Sequence, residues 1–332
     1  MNVENFRAAL TGWFERGHRD LPWRQTRDPY RIWVSEIMLQ QTRAAAAIPY
    51  YQAFLTRYPD FEALARAPEA EVLASWSGLG YYSRARNMRK AAGRMAEAGQ
   101  FPRTHEAIRA LPGVGTYTAA AVASIAYGLP HAVLDGNVLR VISRLAADAG
   151  DIGSAGTRAR FQKLADTWLD GERPGAFNQA MMELGAIVCL PRNPQCLLCP
   201  VAEFCVARKA GTQNQFPVKF RKDNKYEAAE DLLCVERAGS LLLRQRSRTE
   251  SRMADFWELP QVHEVPVKQP PAELGTFHHT VVQTRYTVRV YSAQSRTSKP
   301  PAGMEWIAAE KRETLPLTTV TRKALALRRS AT

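Results

Sequence analysis

Apolar residues recur at helical spacing through roughly the first 210 of the chain's 332 residues, and Gly or Pro separates the apolar segments. This spacing predicts a helical region, and Ala, Leu, Arg and Glu are abundant in it. Asp28 and Pro29 are typical of an N-cap and a first helical residue, and they open a predicted helix that continues to Ile48. Further helices are predicted over residues 61–76, 83–98, 105–111, 116–127, 136–147, 158–169 and 175–188.

The pattern changes in the last third of the chain. Residues 211–225 are polar and basic and predict a linker. The segments 229–237, 240–246 and 280–292 are rich in residues that favour strands, with a hairpin turn predicted at Ala238-Gly239 and a helix over 323–329. The sequence therefore predicts a helical domain over 1–210, the linker, and a small α+β domain over 226–332.

Charge adds a class of partner to this picture. The formal net charge is +13 and the sequence pI about 9.8, which favours a polyanion such as nucleic acid. No apolar run is long enough to span a bilayer, and the first residues lack the apolar core of a secretory signal. We therefore expect a reduced, cytoplasmic setting.

Four cysteines lie close together near the end of the helical region. Cys189, Cys196, Cys199 and Cys205 have the spacing C-x6-C-x2-C-x5-C. Four thiolates on one loop suit a single metal centre, and both zinc and iron–sulfur clusters accept four cysteines. Two disulfides are the third interpretation. Cys234 stands alone, and we expect it to be a small buried hydrophobic residue.

Residues 111–126, LPGVGTYTAAAVASIA, predict a helix, a Gly-rich turn and a second helix. Gly113 and Gly115 permit backbone torsions and a close approach that side chains would prevent. The N–H groups at the start of the second helix can then bind an anion, for example a DNA phosphate. By itself, a plain connection between two helices is the simpler interpretation.

Carboxylates occur in two further segments. Asp135 precedes a Gly-Asn pair in VLDGNVLRV, residues 133–141, and an N-cap explains it without any catalytic role. Glu36 and Gln40, in WVSEIMLQQTR at 33–43, lie four residues apart and share one helix face. A solvated polar stripe explains that pair equally well.

Taken together, these segments resemble a known family. LPWR at 21–24, the 33–43 segment, GLGYYSRARN at 78–87, the 111–122 hairpin, 133–141 and 177–205 are similar to motifs of the MutY-type adenine DNA glycosylases. These enzymes belong to the endonuclease III, or helix-hairpin-helix, superfamily. The resemblance extends over essentially the whole chain.

The resemblance implies a fold and a cofactor. It implies that the N-terminal half is a mainly α helix-hairpin-helix glycosylase domain. A [4Fe–4S] cluster in this half would be bound by Cys189, Cys196, Cys199 and Cys205. It also implies that the C-terminal half is a small α+β Nudix-like domain that recognises 8-oxoguanine. The Glu-rich metal box of Nudix enzymes is missing, so no pyrophosphohydrolase activity is expected.

The resemblance also implies roles for individual residues. Glu36 is the general acid, Asp135 stabilises the cationic sugar, and Asn137 and Tyr117 lie beside the reacting centre. The adenine pocket is implied to comprise Leu21, Trp23, Arg24 and Glu183. The implied DNA contacts are Gln40, Gln41, Tyr82, Gly113, Gly115, Phe277, His278 and His279. Among these, Gln41 fills the gap left by the flipped base, and Tyr82 inserts beside the opposing base.

Two positions bear on the reaction. Lyase-type relatives have a lysine where this chain has Tyr117, and no lysine occurs between Lys90 and Lys163. This favours a monofunctional glycosylase that uses water as its nucleophile. Relatives usually have Phe-Ser-His on the loop that reads the lesion, whereas this chain has Phe277-His278-His279.

The implied substrate is double-stranded DNA with adenine opposite 8-oxoguanine or guanine, bound by a cytoplasmic, nucleoid-associated monomer. The nearest alternatives are a thymine-mismatch glycosylase and an endonuclease III-type lyase; Glu36 and the C-terminal domain oppose both. A non-catalytic iron–sulfur DNA-binding protein is a second class, and the two carboxylates Glu36 and Asp135 oppose it. A Nudix hydrolase with a helical appendage is a third, which the missing metal box opposes.

Overall fold

A computed structural model describes residues 1–220, 226–247, 249–250, 253–281, 283–296 and 298–331. The chain divides into two compact units. The helical unit comprises Met1–Arg66 and Asn87–Arg221, and the C-terminal unit comprises Ala67–Arg86 and Lys222–Thr332. No helix in the described part of the chain is both long and apolar enough to cross a membrane.

The α-helices of the described residues follow one another along the chain, interrupted by single turns of 3-10 helix. They are α1 Val3–Gly17, α2 Pro29–Leu39, α3 Ala44–Arg57, α4 Phe61–Arg66, α5 Glu69–Ser75, α6 Ser83–Ala98, α7 His105–Arg109, α8 Thr116–Tyr127, α9 Gly136–Ala146, α10 Ala155–Trp168, α11 Pro174–Ile187, α12 Val206–Lys209, α13 Ala309–Thr314 and α14 Thr319–Ala331.

Helix α2 begins as predicted but ends early. The Asp28 carboxylate accepts hydrogen bonds from the backbone N–H groups of Tyr30 and Arg31. The predicted helix to Ile48 is wrong, because α2 ends at Leu39 and α3 begins at Ala44. Gln41 in the break has a φ of 60°, which an α-helix does not allow. The predicted helix over 61–76 is likewise two helices, with Pro68 between them.

The Gly-rich turn between α7 and α8 has the predicted form. Gly113 has a φ of 77°, and a Cβ atom there would lie 2.6 Å from Cβ of Asn87. Both the torsion and the contact therefore require glycine. Gly115 is the N-cap residue of α8.

A continuous hydrophobic core holds the helical unit together. Phe6 and Leu10 of α1 pack with Phe161 of α10 and Phe177 of α11, and all four side chains are almost fully buried. This packing positions Glu183, which lies on α11, and Arg19, which follows α1.

The C-terminal unit contains a six-stranded mixed sheet with the path β3-β2-β1-β5-β4, and β6 pairs with β2. Along that path β1 and β5 pair in parallel, and the other neighbours that the structure describes pair antiparallel. The strands are β1 Tyr226–Arg237, β2 Ser240–Gln245, β3 Trp257–Glu258, β4 Ala272–Val281, β5 Thr284–Ala293 and β6 Met304–Ile307.

Both faces of this sheet are covered. Leu232 and Cys234 of β1 belong to a core with α14, whereas Leu233 and Val235 belong to a second core on the other face. Alternate residues thus enter different cores, which explains the unbroken apolar run in β1. Cys234 is 3% exposed, so the prediction of a buried residue is confirmed.

The predicted turn at Ala238-Gly239 is confirmed, because Arg237 pairs with Ser240 and both turn residues have positive φ. The segment 280–292 was predicted as one strand-rich run, whereas its described residues belong mostly to two strands, the end of β4 and most of β5. The α14 helix over the predicted 323–329 segment is also confirmed.

The observed unit boundaries differ from the predicted domains. Ala67–Arg86 belongs to the C-terminal unit, although its helical spacing had placed it in the helical domain. The first half of the predicted linker is not a free connection: Arg144 donates to the carbonyls of Gln213 and Phe216, and Ile152 N donates to Val218 O. Residues 221–225 of the linker lie outside the described residues.

Candidate active site

A cleft of about 990 Å³ opens in the helical unit. Its lining brings together residues from the LPWR segment, α2, the α2–α3 break, α8, α9 and α11, which are far apart in sequence. Ten of the predicted site residues line it, namely Leu21, Trp23, Arg24, Glu36, Gln40, Gln41, Tyr117, Asp135, Asn137 and Glu183.

Glu36 lies on α2 at the floor of this cleft and is 4% exposed. The Tyr117 hydroxyl donates a hydrogen bond of 2.8 Å to its Oε2 atom. The pKa of Glu36 is raised to about 7, mainly by burial and also by the charge of Asp135, while Tyr117 and Arg24 oppose the rise. A carboxyl with this pKa is partly protonated at neutral pH and can donate a proton.

Asp135 is the N-cap of α9, as the simpler interpretation predicts. Its Oδ1 accepts from Val138 N at 2.7 Å, and its Oδ2 accepts from Asn137 Nδ2 at 3.2 Å. Burial raises the pKa of Asp135, whereas these donors and Arg140 favour the charged form. The N-cap role fixes the carboxylate at the cleft and does not exclude a second role there.

Glu183 on α11 is fully buried and forms ion pairs with two arginines. Arg19 donates to both carboxylate oxygens, at 2.8 and 2.6 Å, and Arg24 donates to Oε2 at 2.8 Å. These donors hold the pKa of Glu183 at about 2 against the opposing effect of burial. Arg19 was not identified as a site residue from the sequence. The only sequence signal for it is its position two residues before the LPWR segment.

Leu21 and Trp23 form an apolar wall beside this ion-pair cluster. They are 6% and 7% exposed, and the Trp23 ring packs edge-on against Tyr51 with centroids 5.4 Å apart. A wall and a charged cluster together can bind a flat, polar-edged ring such as a nucleobase.

The break between α2 and α3 places two glutamines at the cleft. Gln40 donates from Nε2 to Thr118 Oγ1 at 3.2 Å, which ties the end of α2 to α8. Gln41, with its positive φ, is exposed. Its side chain is accessible to a macromolecule at the mouth of the cleft.

Arg140 on α9 is a second residue that the sequence did not single out. Its guanidinium donates to Asn137 Oδ1, to the Gly185 carbonyl and to the Cys189 carbonyl, each at 2.8 Å. A Cβ atom on Gly185 would lie 2.6 Å from Asn137 Cβ, so α9 and α11 pack closely here. Arg140 therefore joins the cleft to the cysteine loop.

The four cysteines of that loop line one cavity, together with residues of α9 and α11. None is in a disulfide. Among the described residues, no three His, Cys, Asp or Glu side chains are close enough to hold a single metal ion. Four thiols around a shared space are the donor set of a [4Fe–4S] cluster.

The surroundings of the thiols by themselves favour the protonated form. Burial is the main cause that raises the pKa of Cys199 to about 12, and the other three cysteines contribute to the rise. The Arg144 guanidinium lies 3.2 Å from Cys189 Sγ and donates to the Leu190 carbonyl at 2.7 Å. A cluster, when bound, supplies the positive charge that keeps these thiols ionised.

Six predicted DNA contacts lie outside the cleft lining. Gly113 and Gly115 lie in the turn between α7 and α8. Tyr82 is only 5% exposed and packs on Phe256, whereas Tyr81 is 57% exposed. The exposed aromatic residue of this pair is therefore Tyr81, and an inserting role for Tyr82 conflicts with its burial.

Phe277, His278 and His279 lie on strand β4, not on a loop. Neighbouring strand residues point to opposite faces, so the three side chains cannot all contact one base. Phe277 packs with the core beneath α14, and His279 lies near Lys323 of the same helix. Of the three residues, His278 is the exposed one.

Comparison with known proteins places this architecture in a class. Residues 34–166 match the model of the HhH-GPD superfamily base excision DNA repair proteins, and residues 189–205 match the iron–sulfur binding domain of endonuclease III. The structure of a thermostable thymine-DNA glycosylase aligns with a TM-score of 0.56 and 32% identity, covering 63% of this chain and 97% of that one. Endonuclease III bound non-covalently to DNA has the same fold, with a TM-score of 0.53 over 64% of this chain and 99% of that one, at 23% identity. The helix-hairpin-helix glycosylase fold predicted for the N-terminal half is confirmed.

The relatives narrow the class further. Human adenine DNA glycosylase is 34% identical to this chain, in an alignment that covers 97% of this chain and 73% of the human protein. The chain belongs to the adenine DNA glycosylase family. It is a base-excision-repair glycosylase that acts on duplex DNA and carries a [4Fe–4S] cluster.

Proposed function

We propose that this enzyme hydrolyses the N-glycosidic bond of adenine opposite 8-oxoguanine or guanine, with water as the nucleophile. One observation above all supports this: a buried glutamic acid with a pKa of about 7 shares a cleft with a second carboxylate. The target base is flipped out of the duplex into that cleft, because the bond is inaccessible inside the helix.

Glu36 is the general acid of the proposal. Adenine is a poor leaving group as an anion, and protonation of its ring at N7 lets it leave as a neutral base. The carboxyl must therefore carry a proton near neutral pH, which burial allows. Tyr117 orients the carboxyl through its hydrogen bond to Oε2.

Asp135 stabilises the sugar once the base departs. The sugar then resembles an oxocarbenium ion, and a fixed negative charge in a site with little water lowers the barrier to its formation. The N–H donors of α9 hold the Asp135 carboxylate in place, and Asn137 beside it can contact the sugar. Glu36 and Asp135 thus divide the roles of acid and charge stabiliser.

Leu21, Trp23, Arg24 and Glu183 form the adenine pocket. Glu183 stays ionised because Arg19 and Arg24 surround it, so it can accept a hydrogen bond from the exocyclic amine. Leu21 and Trp23 supply the apolar face on which the ring packs. We add Arg19 to this pocket because it holds the Glu183 carboxylate.

The duplex is bound by residues around the cleft and by the α7–α8 turn. Gln40 and Gln41 lie where the base leaves the stack, and Gln41 fills the gap. The N–H groups beyond Gly113 and Gly115 hold a backbone phosphate. In place of Tyr82 we propose Tyr81 as the side chain that inserts beside the opposing base, because it is exposed.

Water is the nucleophile because no suitable amine is available. Among the described residues that line the cleft there is no lysine, and Tyr117 occupies the position at which lyase-type relatives form a Schiff base. The product is an intact strand with an abasic site. Cys189, Cys196, Cys199 and Cys205 are the proposed cluster ligands, and the enzyme acts as a cytoplasmic, nucleoid-associated monomer.

The C-terminal unit reads the base opposite the adenine. His278, the exposed residue of its 277–279 segment, stands where the family usually has serine and can donate to the lesion. The resemblance to Nudix-like recognition domains supports this assignment. Phe277 and His279 instead support β4 from the side of α14.

Glu36→Gln tests the proposal. The variant should bind the mispaired duplex normally but release adenine roughly 10²–10⁴-fold more slowly in single turnover, because the amide carries no acidic proton. Glu97→Gln, an exposed substitution of the same kind on α6, should leave the rate unchanged. Near-normal release by Glu36→Gln would rule out Glu36 as the proton source.

A further inference from the structure

The turn before Tyr81 is fixed by hydrogen bonds within the C-terminal unit. Tyr81 has a φ of 48° and Gly80 a φ of 69°. Trp76, which is fully buried, donates from Nε1 to the Gly80 carbonyl at 3.1 Å, and Arg84 donates to the carbonyls of Leu79 and Gly80, both at 3.1 Å. A tyrosine adopts a left-handed φ only when its surroundings impose it. The hydrogen bonds from Trp76 and Arg84 impose this φ on Tyr81. The exposed ring of Tyr81 therefore has a defined position at the surface.

Tyr82 is anchored in the interior. Its ring centroid lies 4.2 Å from that of Phe256, which is fully buried, and the rings are tilted by 58°. Because Tyr82 is held inside, the backbone twist at Tyr81 leaves the Tyr81 side chain at the surface. The position of Tyr81 therefore depends on how firmly Tyr82 and Phe256 stay together.

Arg86 stabilises the contact between Tyr82 and Phe256 by binding the loop that carries Phe256. It lies in the first turn of α6, four residues after Tyr82, and it contacts the loop 253–256, which contains Phe256. Its guanidinium donates to the Ala254 carbonyl, lies 3.7 Å from Asp255 Oδ2 and lies 6.0 Å from the Phe256 ring centroid. Its Nε also donates to Glu69 Oε1 at 2.9 Å.

The 253–256 loop is itself well defined. Asp255 N donates to Arg246 O at 3.1 Å, and Arg246 N donates to Phe256 O at 2.8 Å, so the loop is tied to the end of β2. Met253 and Asp255 both have positive φ. Arg86 thus binds a loop that is hydrogen-bonded to the end of β2. A lysine could not make the same set of contacts, because it lacks the planar guanidinium with its several N–H donors.

We propose that Arg86 is a positioning residue for adenine excision: by clamping the 253–256 loop on Tyr82, it holds Tyr81 in the conformation that enters the duplex. The inference rests on the proposed role of Tyr81. Arg86 does not contact DNA in this scheme, and it acts only through the Tyr82–Phe256 contact. Residues 253–256 thereby contribute to excision as well as to the fold.

A double-mutant cycle tests this proposal with the full-length protein. Single-turnover adenine release from an A:8-oxoguanine duplex is measured for wild type, Arg86→Ala, Tyr81→Ala and the double variant. Arg86→Ala should slow release by about tenfold in the wild-type background and have no further effect when Tyr81 is absent, because residues that act as a unit are not additive. Arg86→Lys should be intermediate. Arg160→Ala, which removes the two-hydrogen-bond ion pair with Asp148 in the helical unit, is the matched control and should be additive with Tyr81→Ala.

Thermal unfolding followed by circular dichroism accompanies each variant, and Arg86→Lys replaces Arg86→Ala in the cycle if the latter does not fold. If Arg86 substitutions slow release equally with and without Tyr81, the positioning role is overturned while the role of Tyr81 stands. If Tyr81→Ala releases adenine at the wild-type rate, the proposed role of Tyr81 fails, and the positioning role fails with it.

Discussion

The chemistry proposed for the cleft depends on a proton that one carboxyl retains. Glu36 is buried and lies near the charge of Asp135, whereas Glu183, which is also inaccessible to solvent, lies between two arginines. The same side chain therefore has a pKa of about 7 in one place and about 2 in the other. Partner charges, not burial alone, decide which glutamate can act as an acid.

This difference predicts a pH profile. The folded-state pKa of Glu36 is raised, so the protonated, active form is lost as pH rises through about 7. Single-turnover adenine release should fall roughly tenfold per pH unit above that point. Tyr117→Phe removes a hydrogen bond that favours the ionised carboxylate, so its alkaline limb should move to higher pH. A wild-type rate that stays constant up to about pH 9 would contradict an acid role for Glu36.

At the scale of elements, α9 connects the cleft to the cysteine loop. Its N-cap Asp135 and its Asn137 line the cleft, and its Arg140 donates to both Asn137 and the Cys189 carbonyl. Arg144, one turn later, contacts Cys189 Sγ and the Leu190 carbonyl of the cysteine loop, and it also donates to the carbonyls of Gln213 and Phe216 beyond that loop. Substitutions of Arg140 and Arg144 can therefore distinguish the positioning of cleft residues from the support of the cysteine loop.

Arg140→Lys should consequently lower adenine release per iron-loaded chain by about 10²-fold, because a small displacement of Asn137 and Asp135 misplaces the reacting groups. Arg144→Lys should lower the iron content but leave release per iron-loaded chain near the wild-type value. Iron analysis and single-turnover rates on the same preparations distinguish the two effects. Equal losses of release per iron-loaded chain in both variants would show that Arg140 has no separate role at the cleft.

The elements also show what sequence patterns can and cannot give. Asp28, Gly113 and Ala238-Gly239 were readable because each has a local torsional or capping requirement. The end of α2 could not be predicted from the sequence, because residues 40–43 contain no strong helix-breaking signal. The break is instead fixed by tertiary contacts such as the hydrogen bond from Gln40 to Thr118. Arg19 and Arg140 act through partners more than forty residues away, which spacing does not reveal.

At the scale of the whole molecule, the C-terminal unit includes residues 67–86 from the middle of the helical sequence. Removing everything after residue 225 would therefore also remove Phe256 from Tyr82. Such a deletion would affect the proposed lesion reading and the proposed support of Tyr81 together. A point substitution on β4 is the cleaner way to examine recognition of the opposite base.

His278→Ala should reduce the preference for adenine opposite 8-oxoguanine over adenine opposite guanine by about 1–3 kcal/mol, the usual range for one good base contact. His279→Ala is the matched control, because that side chain lies on the α14 side of the sheet and should leave the preference intact. His278→Ser, the family's usual residue, should retain most of it. The ratio of the two excision rates is the measurement, and an unchanged ratio in His278→Ala would place discrimination elsewhere in the chain.

The most direct test of the account is a comparison of three duplexes, with A opposite 8-oxoguanine, A opposite guanine and T opposite guanine. Each is incubated with the enzyme, and half of every sample is heated in alkali before strand breaks are measured. The account predicts breaks only after alkali, fastest with A opposite 8-oxoguanine, slower with A opposite guanine, and none with T opposite guanine. Thymine release, or breaks without alkali, would contradict it.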